Sequence, residues 1–301
     1  MRYTLLSLLV LALFFSCTEK ENIYVNEHEN QIIDNNTAPP YSGVTSLQIQ
    51  NYINKAYIDL LGREPTEGEL NAATNSFQSN GLDDNAREIL LDDIINTSEY
   101  YSRFFDIYRQ DYLNGVLDQQ FEELIFTYEF LYNQYINMSD PLSQATAAQL
   151  ALGIEKMEAL KNASEDYEAG AIDVNEFMIR IIYNPVYDEI NMGSENFVVA
   201  AFNDLYKRNP TEAELRNGVD MVDGGPAQLL LQDGTNKDDF VNIVTSNLEF
   251  YQGLTFDLYN ILLARTPTSI EMDATTSALS QSKNYQQAQK KIMKTEEYVG
   301  F

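Results

Sequence analysis

The sequence predicts an all-α fold built from helical repeat units, and three observations carry that prediction. A skeleton of aromatic-x-x-Leu-x-x-Arg-x-Pro-Thr-x-x-Glu recurs from Tyr57 to Glu69, from Phe202 to Glu214 and from Tyr259 to Glu271. Outside these copies, apolar residues return at three- and four-residue spacing, as in Phe121, Leu124, Ile125, Tyr128, Leu131, Tyr132 and Tyr135. No stretch alternates as a half-buried strand would, and no Asn-Gly hairpin signal appears.

Each half of the skeleton has a mechanical reason. Aromatic and Leu three apart share one helical face. Arg63, Arg208 and Arg265 fall where that helix should end, placed to neutralise its C-terminal dipole and bond the terminal carbonyls. Pro65, Pro210 and Pro267 then block continuation. Thr66 with Glu69, Thr211 with Glu214 and Thr268 with Glu271 read as capping boxes that start the next helix. All three copies are expected to be helix, tight corner, helix.

A second element follows each corner. Thr97-Ser-Glu-Tyr100, Asn247-Leu-Glu-Phe250 and Thr295-Glu-Glu-Tyr298 place a cap-forming residue three before an aromatic, and Asn184-Pro-Val-Tyr187 does so without a corner of its own. Between Phe105 and Lys161 the pattern is interrupted. Two long antiparallel helices are expected there, divided at Ser139-Asp140-Pro141, the second following Leu150, Ile154, Met157 and Leu160. The expected organisation is an N-terminal lobe over 47–192 carrying that inserted pair within 105–165, and a C-terminal lobe of two repeat units over 193–301.

The N-terminus reads as an address. Arg2 precedes an apolar run from Leu5 to Phe15, broken only by Ser7, which has the build of a secretory signal over residues 1–16. The single cysteine, Cys17, stands directly after it. Phe14-Phe15-Ser16-Cys17 resembles a bacterial lipobox, although the commonest lipobox has Leu and a small residue where the two Phe stand. The resemblance implies lipid on the Cys17 thiol, cleavage before it and acylation of the new amine; several acyl chains would anchor the protein stably. Thr18 at the second mature position implies, by the same likeness, export to the outer membrane of a Gram-negative bacterium, with the periplasmic or exterior face left open. Residues 17–46 are polar and turn-forming, a flexible tether that would span roughly 30 Å as a coil. His28, the only histidine, lies in it beside Glu27 and Glu29.

Charge narrows the partners. With 46 acidic and 19 basic residues among 301, the chain carries a formal −27, and loss of Arg2 with the leader makes it −28. That balance gives no counterion-release drive toward nucleic acid. One cysteine and one histidine exclude a disulfide framework and a thiolate zinc site.

The repeat skeleton resembles a bacterial helical repeat domain of unknown function found in secreted and surface proteins. Tyr57 to Pro65 and Ser98 to Tyr100 carry the likeness most closely. That domain is in turn similar to the phycobilisome linker domain, through Gly170-Ala-Ile-Asp-Val-Asn-Glu-Phe177, Asn184 to Tyr187, Phe197 and the Arg208 to Pro210 corner. Lys207 and Ala264 stand where the family usually has Gly. The resemblance implies an interaction scaffold and no chemistry.

Catalytic and metal readings find little to stand on. Glu165 to Glu176 has Gly170, Ile172 and Glu176 at EF-hand spacing, but Tyr167 and Ala169 fail as oxygen ligands. Asp233 to Asp239 is oxygen-rich and reads as a solvated loop. No Gly-x-Ser-x-Gly, P-loop or His-Glu-x-x-His motif occurs. Tyr100, Phe104, Tyr108 and Tyr112 form a ladder that serves either as core, the preferred reading, or as a stacking platform. The sequence thus points to a lipoprotein without catalytic residues, cofactor or metal, whose repeats bind envelope proteins. The alternative is a glycan-binding lipoprotein of a polysaccharide uptake system, and the remote one a carboxylate-based glycoside hydrolase.

Overall fold

The structure, a computed structural model, describes residues 43–301. Cys17, the segment read as a lipobox, His28 and most of the expected tether lie outside the described residues. Within them the fold is all-α: sixteen helices and one two-stranded hairpin. Helix α1 (Ser46–Leu61) leads through the first corner to α2 (Glu67–Asn80), α3 (Asp84–Ile95) and α4 (Ser98–Tyr112). The long pair α5 (Asp118–Tyr135) and α6 (Pro141–Lys161) follows, then α7 (Ala163–Glu168), α8 (Val174–Ile182) and α9 (Pro185–Ile190). Next come α10 (Ser194–Tyr206), the second corner, α11 (Glu212–Val222), β1 (Ala227–Leu229), β2 (Gln232–Gly234) and α12 (Lys237–Ser246). Finally α13 (Leu248–Leu263) turns through the third corner into α14 (Ser269–Ser282), α15 (Tyr285–Met293) and α16 (Glu296–Val299).

Local chemistry sets most helix starts. Thr97, Asp140, Asp173, Asn184, Asn247 and Thr295 each accept amide hydrogens of the following turn, satisfying donors that a helix start leaves open. Pro141 and Pro185 stand in the first turns they open, where a missing N–H costs nothing. Asp173 caps α8 through the Glu176 amide, so the Glu165–Glu176 stretch is spent on helix ends.

The hairpin is a correction. Leu230 and Leu231 take φ of 50° and 67°, the left-handed pair that a two-residue turn between antiparallel strands requires. Leucine does not advertise that conformation, so the turn carried no sequence signal. Gly234 ends β2, and Asp239 accepts the Thr235 amide at 2.7 Å while its own amide donates to Asn236 at 2.8 Å. The stretch read as a solvated loop is therefore a strand and a helix cap.

One hydrophobic core runs from Ile49 to Val299, straight across the lobe boundary expected at 192/193. Its largest members are aromatic, and each fully buried one contributes about 1.5–3 kcal/mol. The end of the chain packs on its first unit. Lys290 of α15 reaches Glu88 and Asp92 of α3 at 2.5 and 2.6 Å, and Lys294 reaches Asp84 and Glu88 at 2.8 and 2.6 Å. Tyr298 donates to Asp59 at 2.8 Å, and Arg87 to Glu296 at 2.7 Å. In the middle, buried Asn175 of α8 donates to the Thr245 carbonyl and the Tyr251 hydroxyl, both at 2.7 Å.

Candidate interaction surface and corner clasps

The three corners are superposable in their bonding. At the first, the Thr66 amide donates to Glu69 at 2.6 Å and the Glu69 amide to the Thr66 hydroxyl at 3.3 Å. The same reciprocal pair joins Thr211 to Glu214 and Thr268 to Glu271, so all three capping boxes form. Arg63 then forks onto both oxygens of Glu69 at 2.9 Å, and Arg208 and Arg265 grip Glu214 and Glu271 at 2.7–2.9 Å. These guanidinium bonds hold the carboxyls of Glu69, Glu214 and Glu271 down to about 2.

Each arginine has a second carboxylate that sequence reasoning missed. The Nε of Arg63 donates to Glu99 at 2.5 Å, that of Arg208 to Glu249 at 2.7 Å and that of Arg265 to Glu297 at 2.6 Å. Those glutamates belong to the capped turns Thr97 to Tyr100, Asn247 to Phe250 and Thr295 to Tyr298, so corner and turn are two halves of one clasp. The signal was present: the turn without a corner, Asn184 to Tyr187, has Val186 in place of the glutamate. The skeleton's aromatic belongs to the clasp as well, since the guanidiniums sit 5.6, 5.2 and 5.3 Å from the ring centres of Tyr57, Phe202 and Tyr259.

The arginines were expected to bond helix-terminal carbonyls, and they do not. The one carbonyl each reaches, at 3.1 Å, belongs to Glu64, Asn209 or Thr266, the residue just after the arginine and outside the helix. The helices close instead on left-handed residues, Gly62, Lys207 and Ala264, at φ of 73°, 58° and 52°. Glycine adopts this conformation freely, whereas Lys207 and Ala264 hold it against a steric cost. With their guanidiniums fully engaged, the arginines are part of the frame. Pro65, Pro210 and Pro267 sit one residue before the N-cap threonines, where no amide is required.

The aromatic ladder is core. Tyr100, Phe104 and Tyr108 are buried, and Phe104 meets Tyr167, Phe177 and Tyr285 at centroid distances of 5.5, 4.9 and 5.0 Å. Only Tyr112 is part-exposed, and its hydroxyl donates to the Asp204 carbonyl at 2.7 Å. Near its end three carboxyls, Asp59, Asp204 and Asp257, are pushed above the usual range by burial. Each has a partner: Tyr298 for Asp59, Tyr187 at 2.7 Å for Asp204, and Lys207 at 2.7 Å for Asp257. Among the described residues no group of three or more His, Cys, Asp or Glu is arranged to hold a metal ion.

The long pair presents a different surface. Phe121 and Ile125 of α5, with Ala147, Gly153, Met157 and Leu160 of α6, are buried between the two helices and against the body. One helical step away, Phe126 is 68% exposed and Phe130 56% exposed. Among the described residues they are the only aromatic side chains in the open. Ile136, Met138 and Leu142, at the turn between the helices, are exposed as well, and Glu122, Glu123 and Glu129 lie three or four residues from the two rings or beside them along α5.

Comparison of the chain with protein-family models, with curated proteins and with solved structures finds no match in any of the three.

Proposed function

We propose that this chain is a non-catalytic interaction scaffold of a bacterial envelope, held to the outer membrane by lipid on Cys17, and that the outer face of α5 and α6 grips its partner protein. The observation that carries this reading is the exposure of Phe126 and Phe130 where the other described aromatics are buried or half-buried. Two apolar rings one turn apart, rimmed by carboxylates, have the make-up of an interface anchor, with the rim charges selecting the partner. The clasps support the non-catalytic side, because the charged groups that recur along the chain are consumed in closing corners. The likeness of those corners to bacterial surface repeats and to phycobilisome linker domains favours the same class, since linker domains organise other proteins.

The test starts from membranes after mild crosslinking, followed by purification of the captured envelope protein and its titration against the scaffold. Wild type should bind saturably and hold its affinity as salt rises past about 0.15 M, because the contact is apolar. The Phe126→Ser/Phe130→Ser double variant should lose binding while keeping its unfolding midpoint. Undiminished binding by that variant overturns the surface. Saturable oligosaccharide binding with no protein partner hands the function to the glycan-uptake alternative. Cys17→Ser with its leader processed should leave the membrane fraction, and tight retention in high salt would overturn the anchor.

A further inference from the structure

At 3.6 residues per turn, Glu122, Glu123, Phe126, Glu129, Phe130 and Asn133 share one side of α5, and all six are exposed. The shape and the charge of this face define what kind of partner segment it can hold.

The shape is that of a single cylinder. Backbone amides along α5 are spent inside the helix, so the face has no edge onto which a partner strand could add. Phe126 and Phe130 instead form a ridge of two exposed rings four residues apart, with about 5–6 Å between their Cβ atoms. Such a ridge fits the groove between side-chain rows of another helix. With 18 residues α5 is about 27 Å long, enough for a partner helix of several turns.

The charge is one-sided. Residues 118–161 contain seven acids and two lysines. Neither lysine is free: Lys161 pairs with Glu122, and Lys156 lies 3.3 Å over the Tyr183 ring and 3.5 Å from Asp238. The Glu123 carboxylate accepts only the Gln119 amide, at 2.8 Å, and Glu129 has no partner among the described residues. Three residues before and three after Phe126, these two carboxylates fall about 60° to either side of it. Both flanks of the ridge therefore carry an acid that no cation of this chain answers. A second copy of the chain would set the same carboxylates against one another, and an anionic lipid surface is repelled for the same reason. Lysine or arginine on a partner is attracted.

We propose, building on the scaffold reading, that the partner segment is a basic amphipathic helix whose apolar seam seats Phe126 and Phe130 and whose flanking lysines or arginines meet Glu123 and Glu129. The seam carries the affinity and the flanks select. Titration of the full mature chain, made without its leader so that no lipid or detergent takes up the peptides, tests this with three synthetic helices. All share one leucine seam, and their flanks carry lysine, glutamine or glutamate. At about 0.01 M salt the lysine helix should bind saturably and about ten-fold more tightly than the glutamine helix, with the glutamate helix weakest. That margin should narrow at about 0.15 M. Glu123→Gln/Glu129→Gln should bring the lysine helix down to the glutamine helix and leave the latter unchanged. Phe126→Ser/Phe130→Ser should abolish both, whereas Glu67→Gln/Glu212→Gln, at exposed positions on α2 and α11, should alter neither.

Equal binding of the lysine and glutamine helices, both lost in Phe126→Ser/Phe130→Ser, overturns the basic flanks and leaves the surface standing. Lysine-helix binding that survives that variant, or that falls as far in Glu67→Gln/Glu212→Gln as in Glu123→Gln/Glu129→Gln, is attraction to net charge and overturns the assignment. Self-association that Phe126→Ser/Phe130→Ser removes overturns it in favour of a second copy. No binding of the lysine helix at millimolar concentration overturns it too, while the surface itself is judged by the captured envelope protein.

Discussion

The third clasp unit and the stretch that begins at α4 start alike and end differently. Each opens on a capped turn with a glutamate before the aromatic, Glu249-Phe250 in one and Glu99-Tyr100 in the other. Each helix then reaches a left-handed residue, Ala264 or Asn114, both at φ 52°. There they part: the next residue is Arg265 in one and Gly115 in the other. Arg265 folds back on Glu271 and Glu297 and the chain turns directly into α14. After Gly115 no arginine stands at the clasp position; Arg109 of α4 instead reaches Asp118 at 2.6 Å as the chain runs into α5 and α6, and the turn beyond them carries Val186. Arginine and the later glutamate are present together at the three corners and absent together here. The difference teaches that the clasp is a closure device, and that the exposed rings Phe126 and Phe130 lie on the helix pair that follows the unclasped turn.

The contrast is broken most severely at glycine contacts. In the clasped region a Cβ on Gly253 would stand 1.9 Å from the Leu205 carbonyl oxygen, so α10 and α13 could not keep their approach. Gly253→Ala should cost about 3 kcal/mol in urea unfolding. In the long pair a Cβ on Gly153 would stand 2.6 Å from the Tyr128 ring, which can swing aside. Gly153→Ala should cost about 1 kcal/mol, with amide exchange quickened in α5 and α6 alone. Equal costs and equal spread would mean that the two regions are not separately held.

Removing an arginine should cost less. Arg208→Ala leaves Glu214 and Glu249 facing each other, and since about a third of the arginine side chain meets solvent the expected loss is about 1–2 kcal/mol. Thr211→Ala should cost about 1 kcal/mol by removing a cap, and Pro210→Ala less. Negligible changes in unfolding midpoint for all three would mean that the corner does not hold the fold.

The pH response separates two sets of carboxylates. Glu69, Glu214 and Glu271 sit near 2 in the folded chain, below their ordinary value of 4.5. Their contribution is present above that ordinary value and lost as pH falls toward 2. Asp59, Asp204 and Asp257 are raised, so theirs is present below the ordinary aspartate value and lost as pH rises through the raised one. Midpoints of urea unfolding between pH 2 and 7 should fall at the acid end, and Glu214→Gln should flatten that limb. An unchanged acid limb would detach the clasp from acid stability. The smallest effect is expected from Ala264→Gly, which relieves a left-handed alanine and should add about 0.5–1 kcal/mol.

What the sequence by itself determined is what acts within a turn or two of chain. The Thr-x-x-Glu boxes, the break at Asp140-Pro141, the aromatic stripes and the all-α class follow from hydrogen bonds and periodicities that a few residues complete. The buried side of α5 was legible for the same reason, since Phe121 and Ile125 lie on the stripe that the spacing marks. Tertiary structure decided everything that needed a partner distant in sequence. Each clasp arginine finds its second glutamate 32 to 41 residues later. The α3–α15 ion pairs join the two ends of the described chain. Phe126 and Phe130 are as apolar as the buried rings beside them, and only the packing of α5 against α6 and the body leaves them outside. Periodicity marks which residues can share a face; which face meets another helix is settled by where the rest of the chain comes to lie.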